Sequence, residues 1–145
     1  MKQPNTAYLA GPMTGYAQCN IPTFEQATRD LRGQGIEVIN PVELDPEDTY
    51  KASIASNTGH INYKTIGDDS KGRIMGRDIS ELIDHADTVV LLKGWEESQG
   101  AMMECFVALL ESKAFAEFDI SKKICTPLNT ADVCLAVQCA ALRCL

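Results

Sequence analysis

The feature that most constrains this chain is an alternation of short apolar runs with segments of helical period. The first unit is complete by residue 41. Thr6-Ala7-Tyr8-Leu9-Ala10 reads as a strand and runs into the turn Gly11-Pro12-Met13-Thr14-Gly15. Asn20 is placed to cap a helix with Pro22 in its first turn, and Phe24, Ala27 and Leu31 recur at helical spacing. Gly33 and Gly35 stop that helix, Glu37-Val38-Ile39-Asn40 is a second strand, and Pro41 closes it. A strand–helix–strand unit implies parallel strands joined by a right-handed crossover.

The alternation continues after a break. From about residue 45 to 72 the pattern is lost in a stretch rich in Ser, Thr, Asn, Asp, Lys and Gly. Long patternless stretches inside a compact domain are uncommon and tend to be functional or disordered. This one is expected to be a lid-like insertion, with room for one short helix near Tyr50–Ser56. Met75, Ile79, Leu82, Ile83 and Ala86 then mark a second helix, and Thr88-Val89-Val90-Leu91-Leu92 suits a central buried strand. After the loop Lys93–Gln99, a third helix is expected from about Gly100 to Phe115, with Met103, Phe106, Val107 and Leu110 inward. Lys123–Thr126 offers another strand, and Asp132–Leu145 a last, Ala-rich helix.

The 145 residues suit a single domain, and a 45% hydrophobic fraction is enough for a core. The pattern predicts a doubly wound α/β fold, a parallel sheet of four to five strands flanked by helices. Ligands of such folds bind outside the carboxyl ends of the strands. That directs attention to Gly11–Gly15, the stretch from Asn40, Lys93–Gly100 and the loop near Asn129.

Charge and cysteine usage narrow the function classes. A formal charge of −7 disfavours a nucleic-acid backbone as partner, but not one small phosphorylated ligand held by a few local donors. No run of about 18 apolar residues occurs, so no membrane partner is expected. The N-terminal Met1-Lys2-Gln3-Pro4-Asn5 does not read as a secretory signal, which makes the cytoplasm the expected compartment. The six cysteines form no C-x-x-C pair, and His60 and His85 have no metal-motif spacing. Free thiols are the expectation, with no metal and no cofactor.

One segment carries candidate chemistry. Gly94-Trp95-Glu96-Glu97-Ser98-Gln99-Gly100-Ala101-Met102-Met103-Glu104 leads from the central strand into a helix. Glu104 is expected near that helix's N-terminus, whose partial positive charge favours an ionised carboxylate, the form that attacks a sugar anomeric carbon. Asp78, expected to begin the preceding helix, is a second carboxylate able to handle a proton. By spacing alone, a Glu in a first helical turn is usually a favourable charge and nothing more. Gly11–Gly15 is neither a dinucleotide nor a Walker fingerprint, but its N–H groups can meet an anion. Trp95 either stacks on a base or packs at the edge of the core. His85, at a helix C-terminus, and Cys105, on a different helix face from Glu104, read as structural.

Together these residues resemble the nucleoside 2-deoxyribosyltransferase superfamily, and within it a small branch found in phages and bacteria that is similar to 2′-deoxynucleoside 5′-phosphate N-hydrolases. The resemblance rests on Tyr8-Leu9-Ala10-Gly11-Pro12, on Leu31 through Pro41, on Arg77-Asp78-Ile79 with Ala86-Asp87-Thr88-Val89-Val90, and on Gly94 through Glu104. It covers most of the chain and is weakest in the insertion and the last helix. It implies a Rossmann-like (flavodoxin-like) fold, usually in a homo-oligomer. Glu104 would be the catalytic carboxylate, Asp78 would assist departure of the base, and Tyr8 would orient Glu104. It further implies a nucleotide or nucleoside substrate, with contacts from Gly11, Pro12, Met13, Thr14, Gly94, Trp95, Ser98 and Gly100. Asn129 would reach into a neighbouring subunit's site.

Ser98 stands where the transferases carry an Asp for the sugar 5′-hydroxyl. A hydroxyl there suits a 5′-phosphate, which a carboxylate would repel. The implied activity is an N-glycosidase acting on a (deoxy)ribonucleoside 5′-monophosphate. The alternatives are base exchange and a non-catalytic nucleotide-binding protein. Two departures stand out. Cys105 replaces the family's usual Gly after the Glu, and Pro12 and Thr14 occupy a turn that in the monophosphate hydrolases often carries Ser and Arg. Arg73 or Arg77 are candidates to compensate for that cation.

Overall fold

The structure is a computed structural model that describes residues 3–66 and 70–145. It is an α/β fold with five strands: β1 (Thr6–Ala10), β2 (Glu37–Ile39), β3 (Thr88–Leu91), β4 (Ala114–Asp119) and β5 (Ile124–Leu128). Among the described residues six α-helices flank them: α1 (Ile21–Gly33), the single turn α2 (Pro41–Leu44), α3 (Glu47–Ala55), α4 (Lys71–His85), α5 (Gln99–Leu110) and α6 (Thr130–Arg143). The sheet order is β2-β1-β3-β4-β5, the order of doubly wound flavodoxin-type sheets. The first four strands are parallel. The last is antiparallel to β4, so the expected doubly wound sheet is parallel in four of its five strands and differs only at β5. A parallel fifth strand would need a crossover, whereas only residues 120–123 separate β4 from β5, so a hairpin is the geometry available.

β1 sets the layout. Its register pairs Tyr8 with Ile39 on one side and Val89 on the other. Strand pleating sends alternate residues to opposite faces. Ala7 and Leu9 join Ile21, Phe24, Ala27 and Leu31 of α1 in one core layer. Tyr8 and Ala10 join Leu82 of α4, Ala101, Met102, Cys105 and Ala108 of α5, and Val133 of α6 in the other. Tyr8 is therefore committed to the α4/α5 face.

Several boundaries differ from the sequence reading. The helix expected to reach Phe115 stops at Leu110, and Phe115 belongs to β4. Its inward face is Ala101, Met102, Glu104, Cys105 and Ala108, while Met103, Phe106 and Leu110 are exposed. This helix is apolar almost all round, so periodicity could not select its buried side. Asn20 precedes α1 without capping it, because its Nδ2 donates to the Pro12 carbonyl oxygen at 2.8 Å. Side-chain caps do form at Ser70, Ser98 and Asn129, which head α4, α5 and α6.

The irregular stretch after residue 45 is more ordered than expected. It contains α3 and a short turn at Tyr63–Thr65, and it is tied to the β1–α1 connection. The Gly15 N–H donates to Gly59 O at 3.2 Å, and the Gln18 N–H to Ser56 O at 2.6 Å. Gly59 has a φ of +74°, and a Cβ there would lie 2.2 Å from the Tyr16 carbonyl oxygen. The expected insertion also covers residues 67–69, which lie outside the described residues.

Gly11 ends β1 against β3. A Cβ on Gly11 would lie 2.9 Å from Leu92 Cβ, and Leu92 is fully buried. Gly11→Ala is therefore expected to cost about 1–3 kcal/mol through backbone displacement. Urea denaturation reads this directly; an unchanged midpoint would show that the two strand ends can part freely.

Candidate active site

A cavity of about 360 Å³ opens at the carboxyl edge of the parallel strands. Leu9, Ala10, Gly11, Met13 and Thr14 line it from the end of β1 and its turn, Asp78 from α4, and Ser98, Gln99, Gly100, Ala101 and Glu104 from α5 and its cap. Three of these elements are neighbours in the fold but lie far apart in sequence, so only folding brings Asp78 and Glu104 to one space.

The two carboxylates sit deeper in their helices than expected. Glu104 is the sixth residue of α5, in its second turn, and Asp78 lies midway along α4 rather than at its start. Both are buried, at 7% exposure each, and Tyr8 is fully buried beside them. At this depth the α5 dipole no longer favours an ionised Glu104. Burial pushes its carboxyl up to about 8, the neighbouring Asp78 charge adds to the rise, and Tyr8 partly opposes it. At neutral pH the proton therefore sits on Glu104. The Tyr8 hydroxyl is near enough to act on Glu104, yet Tyr8 Oη and Glu104 Oε2 are both buried without a partner in hydrogen-bonding geometry. We read this as proximity rather than a formed bond. Two unpartnered buried polar atoms at one spot are what a polar ligand would complete.

This burial has a consequence for stability. Glu104 keeps its proton in the fold up to about pH 8, whereas the unfolded chain releases it near 4.5. The unfolded state therefore binds fewer protons across that window, and stability falls as pH rises through it. Between about pH 6 and pH 8 the expected loss is about 2 kcal/mol. Melting curves of wild type and Glu104→Gln should diverge there, with the amide variant holding its Tm; parallel curves would refute the shift.

Asp78 is held by Arg77. The guanidinium donates to Asp78 Oδ1 from Nε at 3.0 Å and from Nη2 at 2.8 Å, to Asp45 Oδ1 at 2.8 Å and to the Leu44 carbonyl at 2.9 Å. Arg77 is thus committed to carboxylates and is no candidate to hold a phosphate. Arg73, the other arginine considered, does not line the cavity. Lys71, at the start of α4, does line it, and nothing in the sequence marked it because it lies within the stretch that lacks a pattern.

The N-terminus of α5 forms the other end of the cavity. Ser98 caps the helix, accepting from the Ala101 N–H at 3.2 Å, and its hydroxyl lies 3.4 Å from the Gly11 carbonyl oxygen. Gln99 and Gly100, whose N–H groups head the helix, face the cavity. A helix N-terminus of this kind favours an anion.

Three expected contact residues, Trp95, Pro12 and Gly94, lie elsewhere. Trp95 is 5% exposed and packs in the second core layer, so the structure places it in the core. Pro12 and Gly94 face each other, a Cβ on Gly94 falling 3.2 Å from Pro12 Cγ, and neither lines the cavity. Asn129 caps α6. Asp87, part of the motif after α4, accepts the Asn5 and Thr6 N–H groups at 3.0 and 3.1 Å and so anchors the start of β1. Burial pushes the Cys105 thiol up to about 12, which makes it inert packing. Among the described residues, all six cysteines are free, no group of three or more His, Cys, Asp or Glu side chains could hold a metal ion, and no helix is long and apolar enough to cross a membrane.

Fold and site together define an α/β domain with a buried carboxylate pair at the carboxyl edge of a mostly parallel sheet. The chain belongs to the family described as a domain of unknown function (DUF4406), whose profile matches residues 5–66 and 69–115. That match takes in every residue of the cavity wall named above. No curated protein matches the chain.

Proposed function

We propose that this protein cleaves the N-glycosidic bond of a ribo- or deoxyribonucleoside 5′-monophosphate, with Glu104 as the reacting carboxylate. The observation that supports this most is the convergence of Tyr8, Asp78 and Glu104, from β1, α4 and α5, beside the N-terminus of α5. A carboxylate pair serves glycosidic chemistry, and the helix terminus serves a phosphate.

The proton on Glu104 fits a shared-proton scheme. It passes to Asp78 and on to the departing base, which leaves Glu104 ionised to attack C1′. The C1′–N bond breaks with its electron pair on the base nitrogen, which takes the proton, while an ester bond forms between Glu104 and C1′. Water then attacks C1′, its proton goes to Asp78, and Glu104 leaves as the carboxylate. The sequestered position of Glu104 favours one second reading, base exchange, in which another base takes the place of water.

The test is incubation with nucleoside monophosphates, with free base followed by chromatography. Base release supports the reading; nucleotide binding without release from any monophosphate would replace it with a binding function. Ser98→Asp probes the phosphate. Aspartate preserves the helix cap, but its charge repels the phosphate. The expected result is a loss of at least about tenfold in kcat/KM for monophosphates relative to nucleosides. An unchanged ratio would remove the phosphate from this end of the site.

A further inference from the structure

A second chamber of about 220 Å³ adjoins the first and is not used by the chemistry above. The two share Met13, Thr14, Tyr63, Lys71 and Asp78 among their walls, so Asp78 stands at their junction. Most of the new walls come from α3 and the segment after it, the part of the chain with the least sequence pattern, and the rest from Cys19 and Asp45.

The chemistry of those walls is specific. Thr49 and Ser53 are one helical turn apart on α3, and they are 2% and 3% exposed. They give α3 a hydroxyl-bearing buried face where a helix of this kind ordinarily buries hydrocarbon. Ser53 lies close to the buried Cys19 thiol, which also lines the chamber. The carboxylate Asp45 faces it too, ion-paired to Arg77 at 2.8 Å. Two carboxylates, Asp45 and Asp78, both bonded to Arg77, flank a space into which Thr49 and Ser53 bring hydroxyls, with Lys71 on the wall shared with the first chamber and His60 on the far side. The α5 N-terminus lines only the first chamber, which makes that chamber the better place for a phosphate. A small neutral ring with hydrogen-bonding edges is the group such walls accept. The volume falls below the roughly 300–1,000 Å³ of sites that take a drug-sized ligand whole, so it suits one fragment of a ligand.

We propose that this second chamber is the nucleobase subsite, and that Thr49 and Ser53 select the base by hydrogen bonding to its edge. The assignment rests on the functional reading above and extends it. The sugar phosphate lies toward Ser98 and Gly100, the base toward α3, and the glycosidic bond beside Asp78 and Glu104.

The experiment separates the two ends without requiring cleavage. Binding of free nucleobases and of ribose 5-phosphate is measured by calorimetry for wild type, Thr49→Val, Ser53→Ala and Ser98→Asp. Thr49→Val keeps the shape of the side chain and removes only its hydroxyl. The expected result is about a tenfold weakening of the preferred base in Thr49→Val or Ser53→Ala, with ribose 5-phosphate unchanged. Ser98→Asp should do the reverse. Thr49→Ser, which retains a hydroxyl, should restore base binding, and this keeps the test informative if the valine variant folds poorly. Loss of both ligands to the same degree in the α3 variants overturns the assignment, and so does the absence of any base binding by wild type. If the two ends separate as expected but no monophosphate is cleaved, the subsite stands and the proposed reaction fails.

Discussion

Glu104→Gln is expected to lower base release from nucleoside monophosphates by at least about a thousandfold, with nucleotide binding changed by much less. The amide keeps the shape of the side chain and cannot form the glycosyl ester. It also removes the titrating group, so the variant should be the more stable protein above about pH 6. Loss of activity and gain of stability in one substitution follow from one cause. The fold pays to hold an ionisable carboxyl at 7% exposure with one oxygen unpartnered. Wild-type rates from Glu104→Gln would remove Glu104 from the chemistry. A loss of activity accompanied by lower stability at pH 8 would mean that the amide disrupts the site instead.

Arg77→Met should have the largest effect on stability. Its guanidinium is the shared cation of Asp45 and Asp78, whose side chains are only 9% and 10% exposed, and it also binds the Leu44 carbonyl at the end of α2. Removing one partner from a largely buried ion network typically costs about 3 kcal/mol, because the charges left behind lose their compensation. Denaturant titration at pH 7 measures that loss. Much of it should return in Arg77→Met/Asp45→Asn, since one of the two stranded charges is then gone. A single variant within about 0.5 kcal/mol of wild type would show that the network contributes little. The same substitution should slow base release, because Asp78 would no longer be fixed at the junction of the two chambers.

The local elements were legible in the sequence where pattern and punctuation agreed. β1, α1 and β2 follow from apolar runs bounded by Gly11, Gly35 and Pro41, and β3 from an unbroken apolar run. The helix caps were not read: Asn20 was expected to cap and does not, whereas Ser70, Ser98 and Asn129 do. The buried side of α5 was not legible, because Met103, Phe106 and Leu110 are as apolar as the residues that face inward. β4 was missed because its run Ala114–Asp119 carries two acidic residues and adjoins an apolar helix.

The candidate site divides along the same line. The sequence by itself offered the candidates: Asp78 and Glu104 as carboxylates on helices, and Tyr8 on a strand and Ser98 before a helix through the resemblance. Strand pleating turns Tyr8 toward α4 and α5, and parallel crossovers bring the ends of those elements to one edge. Only the tertiary structure decided their chemical state. A carboxylate near a helix N-terminus reads as ionised when helix charge is the sole consideration. Packing around Glu104 excludes the water that would solvate the charge, and desolvation outweighs a helix dipole whose effect fades within the first turn. Tertiary packing likewise committed Arg77 to Asp45 and Asp78, sent Trp95 to the core and set Thr49 and Ser53 around a second chamber. Each depends on which segments meet across the fold, and spacing along the chain does not encode that.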